Sequence, residues 1–92
     1  MTSAGKQTEP DNTKGRLFVQ NLHSKKFAVD LSLRDKVRDV KAQIRHHWGL
    51  AEHTQAVIFA GKQMTEDDRM LFEYGLEFGS IMYLVCPLPG GV

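Results

Sequence analysis

The 92-residue chain predicts an α+β domain, a mixed four- to five-stranded sheet with one helix packed across one face. Three observations lead there. Short apolar runs with a period of two bracket a single stretch with a helical period. The elements come in the order strand, strand, helix, strand, short strand, final strand. Nothing repeats internally, and a chain this long has room for one core.

Residues 1–15 hold no large apolar side chain after Met1, so little offsets the entropy of ordering them, and a disordered tail is expected there. From Arg16 the texture changes: Leu17, Phe18, Val19 and Leu22 predict a strand, and His23-Ser24 the turn after it. Phe27, Val29 and Leu31 alternate with Lys26, Ala28 and Asp30, as in a strand covered on one face. The pair makes a hairpin. Val37, Val40, Ile44 and Trp48 then fall at helical spacing and form one apolar stripe. Asp35 is the expected cap, and Gly49 suits the left-handed residue that closes a helix. Ala56 to Phe59 is a short strand, Ala60-Gly61 a turn, and Lys62 to Met64 a minor strand. Leu71, Tyr74 and Leu76 are expected as plugs beneath a connecting loop, and Ser80 to Cys86 as the last strand. The domain is expected to span 16–86, with a flexible tail at 87–92 ending Gly90-Gly91-Val92.

Composition narrows the function classes. Twelve basic and 11 acidic residues are interspersed to a net charge of +1, which argues against nucleic-acid binding. The apolar run from Ile81 to Cys86 is far short of the ~20 residues a membrane helix needs, so no membrane is implied. The single Cys86 cannot form an internal disulfide and fits a reducing compartment. A monomer in the cytoplasm, the nucleus or both is the expectation.

Leu17-Phe18-Val19, Val40-Lys41-Ala42-Gln43-Ile44, the run Ile58-Phe59-Ala60-Gly61-Lys62-Gln63 and the closing Gly90-Gly91 together resemble ubiquitin in order and spacing. The likeness covers about 16–91, with one extra residue in the 65–69 loop. It implies a ubiquitin-like β-grasp. It further implies a small protein attached to targets through a C-terminal glycine, or a docking module within a larger protein.

The strands point the same way. A strand covered on one face should alternate, yet Ile81 to Val85 is apolar throughout, as is Val57-Ile58-Phe59. With Met82, Leu84 and Val57 facing the helix, Ile81, Tyr83, Val85 and Ile58 stand on the open face, with Leu22 at the nearby turn. By resemblance, Leu22, Ile58, Tyr83 and Val85 match the family's main partner-binding surface, with Gly61 at its rim. Partners would be ubiquitin-receptor-type domains. Tyr83 stands where ubiquitin has a histidine, which keeps a stacking surface and removes a group that titrates near neutrality.

A glycine pair suits a terminus that must thread narrow enzyme channels, because side chains there would collide. Resemblance implies removal of Val92 and transfer of the Gly91 carboxylate to a target lysine by activating, conjugating and processing enzymes. Pro87 and Pro89 depart from the arginines that ubiquitin carries there, so a dedicated activating enzyme or a tail that is never conjugated are both open. Lys62 matches the family's best-known chain-forming lysine, and Lys25 and Lys41 match two others; solvated surface lysines are the plainer reading. Phe78 replaces another, so no linkage forms there.

No enzyme, cofactor or metal is expected. His46 and His47 are adjacent on the helix, about 100° apart, which does not converge on an ion with His23 and His53. Cys86 has no readable base, orienting residue or oxyanion motif. Arg34, Arg38, Lys41 and Arg45 are interleaved with Asp35 and Asp39, as on a wetted helix face.

Overall fold

The computed structural model describes residues 10–86. The tail expected at 1–15 therefore lies outside the described residues over 1–9, as does the whole of 87–92. Five strands, β1 (Lys14–Gln20), β2 (Lys26–Ser32), β3 (Ala56–Phe59), β4 (Lys62–Gln63) and β5 (Ile81–Val85), form one sheet in the order β2-β1-β5-β3-β4. The single α-helix among the described residues, α1 (Val37–Trp48), follows the β1–β2 hairpin. β1 and β5 run parallel at the centre, and every other pairing is antiparallel.

Strand parity sorts the side chains into two layers. Leu17, Val19, Val29, Leu31, Val57, Met82 and Leu84 point to the helix and are buried, against Val37, Val40 and Ile44 of α1. Trp48 packs at the edge of this core as a partly buried residue. Met64, Leu71 and Leu76 close it from the long connection between β4 and β5, where a 3-10 turn spans Leu71–Tyr74. The predicted plugs are in place, with Tyr74 only partly buried.

Strand ends differ slightly from the sequence expectation, since the last strand is Ile81–Val85 where Ser80 to Cys86 is expected and β4 stops at Gln63 before Met64. Two further differences have a clear physical cause. The first strand begins at Lys14, two residues earlier than Arg16, because the pairings Lys14 with Ser32 and Gly15 with Leu31 use backbone alone. Side-chain hydrophobicity cannot signal such an extension. Secondly, Asp35 does not cap the helix. Its carboxylate accepts from the Ser32 N–H at 2.8 Å, holding the β2–α1 turn, and Lys36 is the N-cap residue. Lysine has no acceptor to offer, so other groups complete the helix start. The Val37 and Arg38 N–H groups donate to the carbonyls of Arg69 and Asp67 at 3.1 and 3.0 Å, and Asp39 reaches back to the Lys36 N–H at 2.9 Å. The opposite end matches the prediction: Gly49 is left-handed at φ 74° and donates to the Arg45 carbonyl.

The connection after β4 is also tied to α1 by side chains, through Arg38 with Asp68 and Lys41 with Asp67 at 3.0 Å. After α1 the chain returns through Gln55, which is buried and donates from Nε2 to the carbonyls of Lys41 and Leu50 at 3.1 and 3.0 Å. At the far end of β1, Phe78 lies across Gly15. A β-carbon on Gly15 would sit 2.7 Å from the Phe78 Cγ, closer than real contacts allow. Phe78 itself is 46% exposed, so this backbone seat accounts for an otherwise unexplained surface aromatic.

Two stability outcomes follow, both measurable by urea denaturation. Gly15→Ala should destabilise the domain by about 1–3 kcal/mol through overpacking. Most of that loss should vanish in a Phe78→Ala background, whereas equal losses in both backgrounds would refute the contact. Gln55→Ala should cost about 1–3 kcal/mol by removing the donor shared by the Lys41 carbonyl within α1 and the Leu50 carbonyl in the loop after it, with an unchanged denaturant slope.

Candidate protein-binding face

Among the described residues, the side of the sheet opposite α1 carries no helix. Its geometry follows from the register. Tyr83 of β5 is flanked by Gln20 of β1 on one side and Ile58 of β3 on the other, and Ile58 is in turn opposite Gln63 of β4. One row thus runs Gln20, Tyr83, Ile58, Gln63 across four strands. In the next row Val85 is opposite Ala56. Because β1 and β5 are parallel with Gln20 beside Tyr83, Leu22 leaves β1 toward the end of the sheet where Val85 lies. On the other side of the row, Ile81 is beside Phe18.

Of the apolar residues expected here, Ile58, Ile81, Tyr83 and Val85 stand on this face by strand parity, and Leu22 lies at its margin. Ile58 and Val85 are half-buried by their neighbours in the sheet, Tyr83 is 46% exposed, and Leu22 is 74% exposed. Partial burial of Ile58 and Val85 is what a continuous strand surface gives, since each side chain is shielded by its cross-strand neighbours. Gly61 is exposed in the β3–β4 turn, where Ala60 and Gly61 both take positive φ, 54° and 78°. A side chain at position 61 would have open space but a strained backbone.

The face extends further than the sequence indicated. Phe18 lies on it by the parity that turns Leu17 and Val19 inward, and the Lys26 Nζ sits 5.2 Å from its ring centroid. Arg16 and Asp30, directly opposite each other, pair at 3.9 Å on the same side. Assigning alternate residues of β1 to opposite faces identifies Phe18 and Gln20, but only once Leu17 is known to face the core. The β1–β2 loop adds another unpredicted feature. Asn21 Oδ1 accepts from the N–H groups of His23 and Lys25 at 2.8 and 3.0 Å, beside the projecting Leu22.

The remaining candidate residues are dispersed. Lys62 and Lys25 are exposed. Lys41 is not a free surface amine, because its side chain is only 13% exposed and paired with Asp67. A cleft of about 340 Å³ beside it is lined by Arg38, Asp39, Lys41, Ala42, Glu52 and Asp67. Its cations, Arg38 and Lys41, already face Asp68 and Asp67, and its Glu52 lies 3.6 Å from Arg45 of the same helix as those cations. His47 stacks on Phe27 with centroids 3.9 Å apart, and Trp48 meets both rings edge-on, so that histidine serves packing at the helix end. Among the described residues, no group of three His, Cys, Asp or Glu side chains is placed to hold a metal ion. No helix among them is long and apolar enough to cross a membrane. Gly90 and Gly91 lie outside the described residues.

Comparison with known proteins is consistent with this architecture. The sequence pattern of the ubiquitin family matches residues 17–89. The chain is 36% identical over 74 residues to "Ubiquitin-like protein NEDD8" of Dictyostelium discoideum, covering 80% of this chain and 95% of that one. It is 38% identical over 73 residues to "Ubiquitin-like protein 1" of Schizosaccharomyces pombe, covering 79% and 92%. Human "Ubiquitin D" is 32% identical over 88 residues, 94% of this chain but 53% of the human protein. A family match over most of the chain, on a five-stranded sheet crossed by one helix, establishes that this protein is a member of the ubiquitin family.

Proposed function

We propose that this protein is a ubiquitin-like modifier precursor, recognised through Leu22, Ile58, Gly61, Tyr83 and Val85, processed after Gly91 and joined to target lysines by separate enzymes. One observation carries the recognition half: on the sheet face opposite α1, Tyr83 and Ile58 are cross-strand neighbours, and Leu22 leaves β1 toward the end of the sheet where Val85 lies. Burying any one of Leu22, Ile58 or Val85 under a partner contributes on the order of 1.5–3 kcal/mol before association costs, which suits weak to moderate affinity. The conjugation half is supported by the Gly90-Gly91 pair and by near-complete coverage of relatives named NEDD8 and ubiquitin-like protein 1. On this reading the chain supplies a surface and a carboxylate, and activating, conjugating and processing enzymes in the cytoplasm or nucleus supply the chemistry.

A second reading has its own support. Pro87 and Pro89 replace the arginines of ubiquitin, and the human Ubiquitin D match occupies about half of that protein. The same face would then serve a noncovalent docking module whose glycine pair is incidental.

Ile58→Ala should leave the fold intact by circular dichroism and abolish binding to ubiquitin-receptor domains in titration calorimetry; undiminished binding would sink the face. Conjugation is tested by incubating the chain with cell lysate and ATP. An ATP-dependent ladder that is absent for Gly91→Ala supports the modifier, and its absence for the wild-type chain leaves the docking module.

A further inference from the structure

We infer that Asn21 is a positioning residue, whose side chain holds the β1–β2 loop in one conformation so that Leu22 is presented to a partner already ordered. This deepens the docking role proposed above and rests on it. Leu22 is 74% exposed, so packing cannot be what fixes its direction. Hydrogen bonds within the loop instead converge on a single residue. The Asn21 N–H donates to the Lys25 carbonyl at 2.9 Å, and the Asn21 carbonyl accepts from the Ser24 N–H at 3.2 Å. Its Oδ1 accepts from His23 and Lys25 N–H groups at 2.8 and 3.0 Å.

These bonds hold Ser24 at φ 63°, a conformation that a non-glycine residue adopts only when its surroundings impose it. An oxygen two atoms from the backbone can bridge both N–H groups because asparagine's short amide mimics a backbone turn. Alanine offers no acceptor, and the loop would then keep only the two backbone bonds. Leu22 would sample several orientations, and a partner would have to order it on binding. That lowers the binding-competent fraction and raises the apparent Kd in proportion. The same residue thus belongs to recognition without touching the partner, acting through Leu22.

The test has two readouts. In the free protein, Asn21→Ala should lower backbone NMR order parameters at residues 22–24 from about 0.85 to below about 0.6, while Asn21→Asp, which retains an acceptor oxygen, keeps them high. Against a panel of ubiquitin-receptor domains, Asn21→Ala should weaken binding about three- to tenfold. In a Leu22→Ala background the same substitution should change the Kd by less than about twofold, since there is no side chain left to position. Unchanged order parameters in Asn21→Ala overturn the inference, as does a full loss of affinity persisting in the Leu22→Ala background. If no panel member binds the wild-type chain, the docking reading itself falls, and the order parameters alone decide what Asn21 does.

Discussion

The structure depends on β5 lying at the middle of the sheet, paired in parallel with β1 and antiparallel with β3. A central strand has no solvated edge, and its alternate side chains must face both layers. Met82 and Leu84 enter the core while Ile81, Tyr83 and Val85 surface on the opposite face. One five-residue strand therefore joins the interior that stabilises the domain to the face proposed to bind partners. Substitutions at neighbouring positions in β5 reach different layers, the core at even numbers and the open face at odd ones.

Around that centre, the chain uses backbone and polar contacts where apolar area is scarce. A domain of this size has few large core residues to spend. The start of α1 is completed by carbonyls of the 65–70 connection, Gln55 ties the chain after the helix to α1, and Phe78 rests on the bare Gly15 backbone. The Arg38–Asp68 and Lys41–Asp67 pairs strengthen the first of these ties. They also withdraw Lys41 from solvent, so its likeness to a chain-forming lysine does not extend to accessibility.

Most elements were legible because each one announces a period. The stripe Val37, Val40, Ile44 and Trp48 gave α1 its bounds, and Ala56 to Phe59 matches β3. Unbroken apolarity in β5, where alternation was due, signalled that two faces were in use. The unread details have a common character. Lys14 and Gly15 joined β1 through backbone pairing, Asp35 served a turn in place of the helix, and Asn21 organised a loop. Polar side chains with several partners in reach do not declare which they will choose.

The sequence by itself determined the two layers: residue parity in the strands and helical spacing in α1 assign apolar side chains to the core or to the open face, because local backbone geometry sets those periods. Tertiary structure alone decided the lateral arrangement. That Tyr83 stands between Gln20 and Ile58, that Phe18 lies beside Ile81, and that Leu22 points past the end of the face all follow from strand order and register. Those are settled by contacts between residues about 25 to 65 positions apart, since pairing strands distant in sequence depends on how the whole core closes.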